Sequence, residues 1–167
     1  EISEKYDLQV LRFFMLSAHY RSPLNFSSDL MEAAKSGLDR IITATDNLKF
    51  LADNAKTETL TDIEDDALTK TQNYVAAFEK AMDDDFNTAD AIAAIFDLVK
   101  YANTTTNGDS SKAYVTALYE LIVKLADVLG IVVEKKEELL DADIEALIQE
   151  RQAARKERNF ARADEIR

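Results

Sequence analysis

Few residues in this sequence could take part in catalysis, and they do not form a set. The chain contains one histidine, His19, and no cysteine, so it has neither a thiolate nucleophile nor a cysteine-based metal site. One histidine is also too few for a helical di-metal site built from Glu-x-x-His pairs. Neither a glycine-rich phosphate loop nor a serine–histidine–aspartate grouping can be assigned. The sequence therefore predicts no catalytic residue and no cofactor bound by this chain.

The acidic run Asp83-Asp84-Asp85 is the one candidate for a cation site. Carboxylate metal sites need oxygen ligands that converge from several directions, whereas three adjacent residues at a helix start point apart. The interpretation we favour is negative charge placed near the positive end of the following helix dipole. We therefore predict no metal site.

Basic side chains that could contact a phosphate backbone occur in two places. The first, which we call the first junction, consists of Arg12, His19 and Arg21. Arg12 could instead pair with an acid between helices, and His19 could be a hydrogen-bonded packing residue. The second place, which we call the C-terminal cluster, consists of Arg151, Arg155, Lys156, Arg158 and Arg162. These side chains could instead pair with acids three or four residues away on a solvated helix.

The charge of the chain is strongly acidic and unevenly distributed. The formal net charge is −12, which argues against phosphate binding over the whole surface, because nucleic-acid binding needs cationic groups. Residues 141–167 contain 7 acidic and 6 basic side chains, whereas residues 1–140 contain 25 and 14. The composition thus predicts an acidic body followed by a locally basic tail.

The sequence predicts an all-α fold, because apolar residues recur with the helical period and never alternate over a useful length. One proline and three glycines are few breakers for so long a chain. No apolar run approaches the roughly 20 residues that a membrane-spanning helix needs. The first residues also lack the features of a signal peptide, so we expect a cytoplasmic protein.

About five main helices are expected, packed as an antiparallel bundle with a C-terminal helical extension. We predict the first helix over residues 7–20 and a turn at residues 21–25, where Pro23 cannot continue a helix. Ser27 or Ser28 can cap the second helix. Its apolar stripe, spaced by four and three, consists of Leu30, Ala34, Gly37, Ile41, Ala44, Leu48 and Leu51.

Caps and turns mark the remaining helices. The same spacing places Ile63 and Val128 on the inward stripes of the third and fifth helices. The boundary signals, in chain order, are a capping box of Thr61 and Glu64, a cap at Asn87 or Thr88, a polar loop at residues 103–110, and Gly130 beyond the fifth helix.

These signals suggest three regions. Residues 1–130 form the bundle, residues 131–140 a linker, and residues 141–167 the start of a further helical module. The helical pattern of the last region is still continuing at Arg167, so we expect the sequence to be cut there.

Three segments, in order along the chain, resemble bacterial cysteinyl-tRNA synthetases. Residues 11–27 read LRFFMLSAHYRSPLNFS and resemble the segment that follows the activation loop of these enzymes. Residues 81–88 read AMDDDFNT and resemble a second signature, at the entry to a bundle helix. Residues 148–156 and 159–167 read IQERQAARK and NFARADEIR and resemble the start of the anticodon-recognising domain.

The resemblance implies a helical domain that helps to seat tRNA-Cys and does no chemistry. Enzymes of this family join cysteine to tRNA with ATP on a separate catalytic domain, which also uses magnesium and a zinc ion. That domain carries HIGH-like and KMSKS-like motifs, and neither motif is in this sequence. The resemblance further implies RNA contacts at the first junction and the C-terminal cluster. The first junction could instead dock onto the missing catalytic domain. Neither DNA nor a membrane is implied as a partner.

Two other functions compete with this one. The mycothiol-pathway cysteine ligase has a similar core and helical domain but needs no anticodon module, so residues 141–167 favour the synthetase. A free-standing helical module that binds a partner helix suits the acidic body. That alternative does not account for the three ordered resemblances.

Overall fold

The computed structural model describes residues 5–133, and these residues form five α-helices without any strand. The all-α prediction is confirmed. The chain divides into two units, residues 1–135 and 136–167, and the five helices all belong to the first. The expected helical module at residues 141–167 lies outside the described residues. The helices are α1 (Leu8–Leu16), α2 (Ser28–Asp53), α3 (Asp62–Asp83), α4 (Thr88–Thr105) and α5 (Lys112–Val128).

Helices α2 to α5 form the body of the bundle, and α1 packs on its side. The closest pairings are α3 with α4 and α2 with α5, while α1 contacts mainly α2 and, less extensively, α4. Because α3 and α4 are joined only by residues 84–87, they are antiparallel neighbours. None of the helices within residues 5–133 is long and apolar enough to cross a membrane.

The buried stripe of α2 is rotated slightly from the predicted one. Leu30 is 44% exposed, so its predicted burial is wrong, whereas its neighbour Met31 is fully buried. The rotation arises because α2 is covered on one side by α1 and on another by α5. The buried residues are Met31, Ala34, Leu38, Ile41, Ala44, Thr45 and Leu48.

Two predicted helix ends were wrong, each for a local reason. Helix α1 ends at Leu16, not at residue 20, where the Ser17 amide is shared between the Phe13 and Phe14 carbonyls (3.0 and 3.2 Å), a tightening that is common in a last helical turn. Helix α4 continues to Thr105, through part of the predicted loop. There the hydroxyls of Thr104 and Thr105 donate to the Tyr101 carbonyl within the helix, so these threonines do not compete with it.

The predicted burial of two stripe residues at helix ends was also wrong. Ile63 is 82% exposed, because the next residue, Glu64, turns toward the bundle and each helical residue points about 100° from its neighbour. Val128 is 59% exposed, and the core is instead completed beyond α5 by Ile131 and Val133, which are 3% and 2% exposed. Bundle packing therefore continues past residue 130 into the expected linker.

Glu64 links the two connections at one end of the bundle. The predicted capping box is confirmed, since Oε2 of Glu64 accepts from the Thr61 amide (2.9 Å) while the Thr61 hydroxyl accepts from the Glu64 amide. Oε1 of Glu64 accepts from the Ser111 amide at the start of α5 (2.8 Å). Partial burial acts to raise the pKa of Glu64, but the hydrogen bonds from Ser111 and Thr61 outweigh it and lower the pKa below its ordinary value of 4.5.

We predict that Glu64→Ala lowers the free energy of unfolding by about 1–2 kcal/mol at pH 7, because it leaves capping amides of two helices without their carboxylate acceptor. A carboxyl whose folded pKa is lowered stabilises the protein above its unfolded pKa and loses this effect as pH falls through the folded pKa. The difference between variant and parent should therefore shrink below about pH 4.

Urea unfolding at pH 7 and pH 3 measures this difference. The matched control is Glu79→Ala, an exposed carboxylate on the same helix, which should change stability by less than about 0.5 kcal/mol. Equal effects of the two substitutions at pH 7 would show that Glu64 does not link the connections.

Candidate functional site

Two of the three first-junction residues meet at one aspartate. His19, Tyr20 and Arg21 lie in the turn after α1, and Asp85 lies between α3 and α4. The Asp85 carboxylate accepts from the Tyr20 hydroxyl (2.9 Å) and lies 3.0 Å from the Arg21 guanidinium. His19 Nε2 is 3.9 Å from the same carboxylate, and its ring stacks on Tyr20 with centroids 4.9 Å apart. We call these four residues the Asp85 cluster.

Backbone geometry on both sides holds the Asp85 cluster in place. The Thr88 hydroxyl donates to the Leu16 carbonyl (2.8 Å), which fixes the end of α1 against the start of α4. Asp85 and Phe86 have φ of 57° and 54°, a left-handed conformation that strains ordinary L-residues. The Phe86 and Asn87 amides donate to the Met82 and Ala81 carbonyls, so this tight reversal also satisfies the end of α3.

The electrostatics of the Asp85 cluster do not favour phosphate binding. The Arg21 charge is balanced by Asp85, and Asp83 and Asp84 precede it directly. The Tyr20 hydroxyl donates to Asp85, and this hydrogen bond is the main reason that the Tyr20 pKa is raised. An exposed ion pair of this kind contributes roughly 0–1 kcal/mol. The Asp85 cluster is therefore better described as a structural contact between two turns than as a cationic binding surface.

The dipole interpretation of the acidic run was wrong. Asp83 is the last residue of α3, Asp84 caps that helix, and Asp85 pairs with Arg21. The acidic residue in the first turn of α4 is Asp90. Within the described part of the chain, no group of three or more His, Cys, Asp or Glu residues could hold a metal ion.

Arg12 does not join the Asp85 cluster. Its guanidinium lies against Gly130, at a position where a methyl group would collide with it. Gly130 has a φ of +63° and follows the end of α5, so the predicted left-handed closure of that helix is confirmed. A cation is favourable beside the negative end of a helix dipole, which gives Arg12 a structural role. The C-terminal cluster lies outside the described residues.

Six large apolar side chains between residues 8 and 30, in the same part of the sequence as the first junction, are exposed. The sequence pattern did not indicate that these side chains are exposed, because their exposure depends on how α1 and the turn after it pack against α2. The exposed residues, with their exposed fractions, are Leu8 62%, Met15 60%, Tyr20 62%, Leu24 41%, Phe26 51% and Leu30 44%. We call this set the junction apolar surface.

Comparison with known proteins finds one similarity to a domain family and one to a tRNA ligase. Residues 77–134 match the family described as the DALR domain, and these residues cover the end of α3 together with α4 and α5. All 167 residues align, at 60% identity, with the cysteine–tRNA ligase of Lachnospira eligens, and the match takes up 35% of that protein. The chain thus spans about a third of the length of the curated relative that it matches.

Substitutions at Asp85 should separate backbone strain from charge. Asp85→Asn keeps a residue type that tolerates positive φ, so it should lower the free energy of unfolding by less than about 1 kcal/mol. Asp85→Val should lower it by about 2 kcal/mol, because a β-branched residue is strained in this conformation.

Urea unfolding again provides the measurement, with Asp84→Val as the control. Asp84 has an ordinary φ of −86°, so valine should be tolerated there. If Asn and Val were equally destabilising at position 85, the ion pair and not the backbone would control the stability of this turn.

Proposed function

We propose that the chain belongs to the cysteinyl-tRNA synthetase family and that it is the non-catalytic helical region that binds and positions tRNA-Cys in a longer cysteine–tRNA ligase. The observation that carries this proposal is the 60% identity to a cysteine–tRNA ligase over every residue of the chain. The match favours the synthetase over the mycothiol-pathway ligase and over a free-standing interaction module. We also propose that the protein is cytoplasmic, where tRNA-Cys would be joined to cysteine.

The chemistry of the ligase belongs to the other two-thirds of such a protein. ATP, magnesium and the zinc ion that selects the cysteine thiol would bind there. The donor set of this chain does not fit a zinc site of that kind, because the sequence has no cysteine and its one histidine, His19, is stacked on Tyr20 beside Asp85.

The contribution of this region to the reaction would be orientation. A packed bundle of helices holds two distant contacts at a fixed separation, so the acceptor end of a tRNA can stay at the catalytic centre while another part is gripped elsewhere. Contacts to the phosphate backbone suit this role, since they set position without reading sequence.

For the first junction we propose docking onto the catalytic part of the same chain. His19 and Arg21 are engaged by Asp85, and Arg12 lies against Gly130. The junction apolar surface, in the same part of the sequence, is typical of a protein contact. RNA contact by the C-terminal cluster, Arg151, Arg155, Lys156, Arg158 and Arg162, remains a proposal that rests on the family resemblance and on the local excess of basic residues after Glu150.

The isolated 167-residue chain should form no cysteinyl adenylate. Incubated with cysteine, ATP and magnesium, it should give no exchange of label between pyrophosphate and ATP, because its sequence contains neither the HIGH-like nor the KMSKS-like motif and has no cysteine for a zinc site. Exchange above that of a buffer control, by chain purified to homogeneity, would contradict the non-catalytic assignment.

The same chain should bind a tRNA-Cys transcript at low salt and should bind an unrelated tRNA less tightly. Because the contacts are to phosphates, affinity should fall linearly with the logarithm of salt concentration. Fluorescence anisotropy of labelled tRNA measures both properties. No binding of either tRNA at the lowest salt tested would contradict a tRNA-binding role for this region.

A further inference from the structure

A groove runs between α2 and α4, with polar side chains along its walls and apolar side chains, among them Phe96, in its lining. Its volume is about 580 Å³, and its walls carry side chains at helical spacing on both sides. Ala44 and Val99, which are 3% and 6% exposed, lie at its base. The side chains that form its walls, and define what we call the α2–α4 groove, are Arg40, Thr43 and Asn47 on α2 and Lys100, Asn103 and Thr104 on α4.

The packing of the bundle directs these side chains into the groove. Thr43 and Asn47 each precede a buried residue of the α2 stripe, Ala44 and Leu48. A residue next to a buried position lies about 100° around the helix, which places it at the edge of the packed face. The polar walls therefore follow from the burial of the stripe and do not depend on the groove having a ligand.

The groove carries two cations, Arg40 and Lys100, for which residues 5–133 provide no ion-pair partner. The ion pairs seen within residues 5–133 include those of Arg21, Lys56 and Lys112, and neither Arg40 nor Lys100 pairs with an acid there. Asp39 is the one acid that lines the groove, so its lining has a net charge of +1 in a chain whose net charge is −12. Asp97 precedes Lys100 on the same helix and lines the hollow next to it.

Arg40 is also held in position. Its guanidinium lies over the Phe96 ring, 5.2 Å from the centroid, and Phe96 is in turn packed edge-on against Phe13 with centroids 6.2 Å apart. A guanidinium that rests on an aromatic face still presents the N–H donors along its own edge to an anion. Less side-chain entropy is then lost when it binds an anion.

We propose that the α2–α4 groove binds the sugar–phosphate backbone of an RNA strand of the tRNA. Arg40 and Lys100 would pair with phosphate oxygens, and the amides and hydroxyls of Asn47, Asn103 and Thr104 suit phosphate and 2′-hydroxyl groups. None of the large exposed apolar side chains lines the groove, which distinguishes it from the junction apolar surface. This inference rests on the proposed function and names the surface that carries it out.

The test uses two double variants of the 167-residue chain with the same change of charge. Arg40→Gln with Lys100→Gln alters the groove, and Lys70→Gln with Lys124→Gln removes two exposed lysines of α3 and α5. We expect the groove variant to bind tRNA-Cys about tenfold more weakly at low salt and to reduce the salt slope by about 2, roughly one for each lost phosphate contact. The control should change both quantities far less, and circular dichroism should show that both variants fold.

Each other result has a separate meaning. If the parent chain binds tRNA-Cys and the two variants match each other, the groove proposal is overturned while the proposed function stands. If the parent chain binds no tRNA, both are overturned. If the groove variant keeps its tRNA affinity but loses association with the remaining part of the ligase, the groove is a protein-docking surface and the RNA proposal is wrong.

Discussion

Burial of a single stripe along α2 is the constraint on which the other features of the bundle depend. Met31, Ile41 and Leu48 on that stripe are completely inaccessible to solvent, and α1 and α5 cover it from different sides. At Gly37 the Phe13 ring comes so close that an added Cβ would lie 3.0 Å from it. The rotation of α2 thereby fixes both where α1 sits and which α2 residues border the groove.

The same constraint determines where positive charge remains available on an acidic protein. At the end of α1, Arg21 is placed within reach of Asp85 and is neutralised by it. Along the middle of α2, Arg40 is placed over an aromatic ring, and no acid in the described part of the chain pairs with it. A net charge of −12 therefore does not prevent local anion binding, because the potential near a surface depends on which charges are paired.

Features that depend on neighbours in sequence could be predicted, and features that depend on distant pairing could not. The Thr61–Glu64 box and the Gly130 closure were predicted from local signals and are confirmed, and of the two predicted caps, Ser27 and Ser28, the structure has Ser27. The bond from Glu64 to Ser111 and the pairing of Arg21 with Asp85 join residues 47 and 64 positions apart, so no local pattern indicates them. Arg40 was missed for a related reason, since its role depends on Phe96 of another helix.

Chemical modification of lysines in the presence and absence of tRNA-Cys tests the account most directly. Acylation rates, followed residue by residue by mass spectrometry, compare Lys100 in the α2–α4 groove with the exposed Lys70 and Lys124 on α3 and α5. Bound tRNA should slow acylation of Lys100 severalfold and leave Lys70 and Lys124 unchanged. Acylation of Lys100 at the same rate with the tRNA bound would contradict the account, because the positioning surface would then lie elsewhere on the chain.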